Sequence, residues 1–121
     1  MRLGTLSALV AGVAVAAGAF GAHALKTQLD IASLANFETA ARYQLIHGLA
    51  ATFAADRAGR EGGASAGRAA LAFLWGALLF SGSLYVLALG GPRWMGAVTP
   101  LGGLGFMTGW VLLAASFARR A

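Results

Sequence analysis

Ionic side chains fall at intervals along this chain, and long apolar stretches lie between them. No Asp, Glu, Lys or Arg occurs from residue 69 to 92, or again from 94 to 118. Residues 3–25 form a third such stretch, uncharged unless His23 is protonated. Mostly apolar runs of about eighteen residues or more are long enough to cross a bilayer core as helices. A fourth element is less clean. The uncharged run 43–55 is thirteen residues, roughly 20 Å of helix, and is too short to span. A second helix over 33–55 reaches the required length by taking in Glu38 and Arg42, with Asp30 or Ser33 placed to cap it. The part before Glu38 then lies along the interface, with Leu34 and Phe37 toward lipid.

The breaks between these runs carry turn chemistry. Lys26-Thr27-Gln28-Leu29-Asp30 is a polar connection. Residues 56–68, rich in Gly, Ser and Arg and without periodicity, predict a linker. Gly90-Gly91-Pro92-Arg93 predicts a tight turn after a third helix over 69–89. Thr99 reads as an N-cap with Pro100 in the first helical position, where a missing N–H costs nothing. The fourth helix then covers 100–118 and closes on Arg119-Arg120. The fold expected is all-α, a single domain forming a four-helix transmembrane bundle. A cleaved signal peptide is a competing reading of the first run, given Arg2 and the small-residue site Ala22-His23-Ala24. Its apolar stretch is longer than a usual signal core.

Composition sharpens this picture. Hydrophobic residues make up 59% and charged residues 11%, against about 25% charged in a soluble domain. A soluble bundle needs a charged face on every helix, and nine basic with four acidic residues cannot cover four. The net charge of +5 sits at segment ends, where it orients helices and meets anionic headgroups. Arg2, Arg57, Arg60, Arg68, Arg119 and Arg120 fall on one side, which puts both termini and the linker in the cytoplasm. No basic stretch is interleaved with exposed aromatics, so membrane lipids rather than nucleic acid are the expected partners. There is no cysteine, hence neither disulfide nor thiolate site.

Eighteen glycines would weaken soluble helices, but in lipid they let backbones approach closely. Ala14-Gly18-Ala22 makes one small ridge; Gly102, Gly105 and Gly109 make another; His47, Ala50, Ala51 and Ala54 form a third. Gly103-Leu104-Gly105 with Gly109 is no dinucleotide fingerprint, lacking both the preceding strand and the spacing of the third glycine. No cofactor is implied.

Polar residues gather in the half of the apolar zone away from the basic side. His23 ends the first helix there, and Glu38 and Arg42 open the second. Ser81, Ser83 and Tyr85 lie in the same half of the third helix, and Thr99 begins the fourth. His47 is deeper, about 15 Å beyond Phe37 along its helix. Glu38 and Arg42 are four apart, acid first, and can form an ion pair. Tyr43 and His47 are also four apart but point roughly 140° away from that pair. Such groups either hydrogen-bond across helices and set register or mark a site, being expensive to place in a membrane. A metal site from His23, Glu38 and His47 lacks any diagnostic spacing. Trp94 and Tyr85 suit an interfacial aromatic belt, as do Trp75 and Trp110 nearer the other surface.

Four phrases in order carry a resemblance: Gly18-Ala-Phe-Gly-Ala-His23, Ala41-Arg-Tyr-Gln-Leu-Ile-His-Gly48, Phe80-Ser-Gly-Ser-Leu-Tyr85, and Thr99-Pro-Leu-Gly-Gly103 continuing to Gly109-Trp110. Together they resemble the bacterial inner-membrane YgdD-like family, related to the eukaryotic transmembrane protein 256 and of unknown function. The resemblance implies an integral membrane protein of about four spans. It brings no activity, substrate or catalytic residue.

Three kinds of function fit. The first is a non-enzymatic component, either a packing partner for another membrane protein or a homo-oligomer. The second is a carrier or channel for a proton or small solute through the polar cluster. The third is a lipid- or quinone-binding protein with its headgroup near Arg42, Tyr85 and Thr99. An enzyme is disfavoured, because no aspartate within the spans could orient a histidine toward Ser81 or Ser83.

Overall fold

The structure, a computed structural model, describes residues 2–118. Among these the chain is helical almost throughout and contains no strand, in agreement with the all-α expectation. In order it forms α1 (Arg2–His23), α2 (Ile31–Arg57), a π-helical turn (Ala58–Gly62), α3 (Gly63–Ala88), a 3-10 turn (Arg93–Ala97) and α4 (Thr99–Ala118). Arg119 and Arg120, expected to close the last helix, lie outside the described residues.

Local chemistry explains the boundaries. Of the two caps considered for α2, Asp30 is the one used: its carboxylate accepts the Ser33 N–H at 2.7 Å. Hydrogen bonds from Ser33, its backbone N–H foremost, hold the Asp30 carboxyl below the usual aspartate range. At the far end of α3, Gly90 takes a positive φ of 95°. Its N–H donates to Leu87 O at 3.2 Å, and Gly91 N–H donates to Val86 O at 2.7 Å. This is the paired closure of a Schellman motif, and Pro92 follows it. Thr99 is the first residue of α4 rather than the cap before it, and its hydroxyl is engaged elsewhere.

The linker expected over 56–68 is a correction. These residues are helical, and the chain reverses within a single residue, Gly63, at φ 56° and ψ −146°. That conformation is essentially reserved for glycine. Four-apart pairs support the helical path, with Arg60 Nε donating to Asp56 at 3.0 Å and Arg57 lying 3.9 Å from Glu61. Glycine and serine content suggested a loop where spacing favours a helix.

The four separately bounded spans also become three helical runs apolar and long enough to cross a membrane. These are Arg2–His23, the 58-residue run Ile31–Ala88, and Arg93–Ala118. The middle run folds back at Gly63, since Ser81 Oγ donates to Ala40 O at 2.7 Å. In one straight helix those residues would stand roughly 60 Å apart.

α2 packs extensively on α1 and α3, and α3 on α4, whereas α1 barely touches α3. The α1–α2 seam is built from small residues at alternating spacings of three and four. A methyl added at Gly4, Gly18, Gly21 or Gly48 would meet Ala55, Ala41, Phe37 or the Ala11 backbone respectively. The expected ridge Ala14-Gly18-Ala22 is corrected accordingly: Ala14 is buried, but Ala22 faces outward. This spacing is that of a left-handed coiled coil. On α4 the expected ridge holds, with Gly102 against Phe80, Gly105 against Gly76 and Gly109 against Phe73. The small face of α2 is buried as well.

Size is distributed inside out. The buried apolar set is dominated by alanine, while Leu9, Leu49, Trp75, Leu78, Met107 and Val111 are all more than half exposed. A water-soluble protein does the reverse with its bulky apolar residues.

Candidate functional site

Polar clasps tie neighbouring helices together. Gln44 on α2 is 9% exposed. Its Nε2 donates to Val10 O on α1 at 2.9 Å, and its Oε1 accepts from the Tyr85 hydroxyl on α3 at 2.7 Å. One amide therefore joins three helices at one level. Close by, Ser81 bonds the α2 backbone as described above. Ser83 Oγ donates to Phe80 O at 2.9 Å and lies against Thr99 Oγ1 of α4. With the serine proton committed to the carbonyl, the threonine must be the donor.

His47 makes another clasp, between α2 and α4. It is 5% exposed and stacked on Phe106, with ring centroids 3.5 Å apart and planes within 9°. Its Nδ1 is 2.8 Å from Tyr43 O, and its Nε2 is 3.1 Å from the indole Nε1 of Trp110. A carbonyl can only accept and an indole N–H can only donate. The imidazole is therefore neutral, protonated on Nδ1, with both nitrogens in use. Proton uptake at Nε2 would displace Trp110.

Arg57 forms a further clasp at the opposite end. Its guanidinium donates from Nε to Ser116 Oγ and from Nη2 to Ser116 O, both at 3.0 Å. It also lies 3.7 Å from the Phe117 ring centroid. A cation on the last carbonyls of a helix satisfies otherwise unpaired acceptors and opposes the helix dipole.

The nine residues singled out in sequence thus do not form one cluster. His47, Ser81, Ser83, Tyr85 and Thr99 enter the interhelical clasps. Tyr43 packs against Phe80, with ring centroids 5.0 Å apart and planes tilted by 42°, and contributes its backbone carbonyl to His47. Glu38 and Arg42 are exposed on the outer face of α2, and His23 is exposed at the end of α1. Glu38 and Arg42 share a groove wall, yet the ion pairs among the described residues are Arg57–Glu61 and Arg60–Asp56. Two belt assignments change: the Tyr85 hydroxyl turns inward to Gln44, and the Trp110 N–H is tied to His47. Trp75 and Trp94 remain exposed, at 61% and 66%.

Gln44, Arg57 and Ser116 were missed. Gln44 carries no charge, and a search weighted toward ionisable groups passes over it. It is nonetheless the sole glutamine in any of the apolar runs, which is the signal that could have found it.

Among the described residues, every buried side-chain nitrogen and oxygen has a hydrogen-bond partner, and no three His, Asp or Glu side chains converge as metal ligands would. The Ser81 and Ser83 hydroxyls serve carbonyls and Thr99, not an imidazole. Grooves flank the helices rather than piercing the bundle. Two run between α1 and α3, of about 330 and 440 Å³, lined by Val10, Leu74 and Leu78. One lies between α2 and α4, at about 360 Å³, and two between α1 and α2, of about 370 Å³ beside Glu38 and Arg42 and about 480 Å³ beside Asp56 and Arg60.

Residues 17–103 match the family described as "Protein of unknown function (DUF423)". The chain is 41% identical over 115 residues to a UPF0382 membrane protein of Staphylococcus saprophyticus, covering 89% of each. It is 37% identical over 114 residues to the UPF0382 membrane protein YwdK of Bacillus subtilis, covering 92% of this chain and 89% of that one. To the UPF0382 inner membrane protein YgdD of Escherichia coli it is 39% identical over 106 residues, covering 82% and 76%. No solved structure matches.

Proposed function

The chain belongs to the family described as protein of unknown function (DUF423), and we propose that it serves as a non-enzymatic, multi-pass component of the bacterial inner membrane. Its relatives carry the names of membrane proteins, and its inside-out distribution of bulky apolar residues suits acyl chains as solvent. In this reading each of α1 to α4 crosses the bilayer once, α2 and α3 as a hairpin. Both termini and the Gly63 reversal face the cytoplasm, because most of the arginines cluster at that end.

The observation that carries the non-enzymatic reading is the complete internal bonding of the polar groups. Gln44, Tyr85 and Ser81 bond neighbouring helices, and His47 bonds its own helix through Nδ1 and α4 through Nε2. Among the described residues, no nucleophile meets a base and no buried side-chain polar atom is left unpaired. Such bonds average about 0.6 kcal/mol in lipid. Their contribution is register, and with it a fixed outer surface. That surface is the working part: a packing partner for a second copy of this chain or for another membrane protein.

Crosslinking in native membranes tests this. Exposed positions on α1 and α4 should give defined adducts, either with a second copy or with a particular neighbour. A chain that stays monomeric and without neighbours at those positions sinks the proposal.

A further inference from the structure

Glu38 and Arg42 stand one helical turn apart on the exposed face of α2, and among the described residues neither has an ion-pair partner. Opposite charges at this spacing normally pair. Here they are separate, and each is free to meet something else. Their depth is set by their neighbours: Ala40 meets Ser81, and Ser83 meets Thr99, the first residue of α4. Glu38 therefore sits close to the level at which α4 begins, and Arg42 lies one turn deeper.

Below them the helix surface is apolar, with Leu45, Ile46 and Leu49 exposed. A groove runs along each side. The one toward α1 is about 370 Å³ and includes Ala14, Gly18 and Ala41, with Glu38 and Arg42 on its wall. The one toward α4 is about 360 Å³ and includes Ile46, Phe106 and Met107, again with Arg42 on its wall. Arg42 thus borders both. Gly103 leaves the second groove open, since nothing stands within 4 Å of where its side chain would begin.

We propose that this face binds a phosphatidylethanolamine-type phospholipid, with its phosphate on Arg42, its ammonium on Glu38 and one acyl chain in each groove. Order along the helix matches order along the lipid: two apolar grooves, then a cation, then an anion nearer the surface, against two chains, a phosphate and an amine. Arginine suits phosphate because its planar guanidinium donates two parallel hydrogen bonds. A carboxylate one turn away repels a lipid of net negative charge and attracts one carrying an ammonium. A primary ammonium also donates hydrogen bonds to that carboxylate, which a quaternary choline cannot do. The site is thus selective in headgroup. It rests on the transmembrane reading above, though not on the absence of catalysis.

The test is native mass spectrometry of the full chain released from bilayers of equal parts phosphatidylethanolamine, phosphatidylcholine and phosphatidylglycerol. The wild type should retain the ethanolamine lipid several-fold over the other two. Glu38→Gln should abolish that preference while still retaining phospholipid. Arg42→Gln should lower retention of all three several-fold, and Arg42→Lys should recover part of it. Both side chains are exposed, and unchanged helicity and thermal midpoint verify that the variants are folded. Equal retention of the three lipids by the wild type, or a preference untouched by Glu38→Gln, overturns the proposal. A protein that stays dispersed in buffer without detergent defeats the transmembrane reading itself.

Discussion

Gln44 shows how one neutral side chain can fix several helices at once. Its amide nitrogen and oxygen face opposite ways, so a single residue reads the height of α1 through Val10 and of α3 through Tyr85. We expect Tyr85→Phe to lower unfolding free energy by about 0.6 kcal/mol, with about 1.7 as the upper end for such bonds. In a Gln44→Leu background the same change should cost nothing, because its partner is already gone. Unfolding titrations in mixed micelles across the four proteins measure this coupling; equal costs in both backgrounds would mean the bond is idle. Residue types in the apolar runs announced that polar atoms lie inside. They could not announce pairing. His47 turns to Trp110 and Ser83 to Thr99, and that is decided by how the neighbouring helices are set against α2 and α3. Periodicity fixes which face a residue occupies and leaves open what the face meets.

At the level of elements, the seams are set by where a side chain is absent. Gly48 lies so close to α1 that an added methyl would fall 2.8 Å from the Ala11 backbone nitrogen. Gly12, on the same pair of helices, has open space. Gly48→Ala should therefore destabilise by about 1–3 kcal/mol, the usual cost of overpacking. Gly12→Ala should be neutral or slightly stabilising. Thermal midpoints in one detergent separate the two, and similar gains for both would argue that helix propensity, not contact, governs these glycines. The existence of the helices and the glycine ridge of α4 were legible in the apolar runs. The path of 56–68 was not. Composition pointed to a loop, whereas the Asp56–Arg60 and Arg57–Glu61 spacings carry helix up to a reversal of one residue.

For the whole molecule, the proposed four-crossing topology gives each connection an expected side. The chain has no cysteine, so single cysteines can report sidedness without background. Gly59→Cys should react with an impermeant thiol reagent only from the cytoplasmic face, and Thr27→Cys and Gly96→Cys only from the opposite face. Labelling of all three from one side would refute a four-crossing topology. Arg57 contributes at this scale too, because it fastens the end of α4 to the end of α2 across 59 residues of sequence. Charge counting assigned it only to a cytoplasmic linker.

The one-residue reversal at Gly63 bears on how the molecule is made. α2 carries Glu38 and Arg42 and is the poorest candidate to enter lipid alone, while α3 has no ionic residue beyond Arg68. With no slack between them, the two cannot partition independently. On the proposed hairpin topology, the expected route is that α2 enters lipid together with α3, once enough of α3 has left the ribosome. Lengthening the reversal with a flexible insert would uncouple that entry, leaving the charged helix stranded even though every contact in the finished bundle could still form.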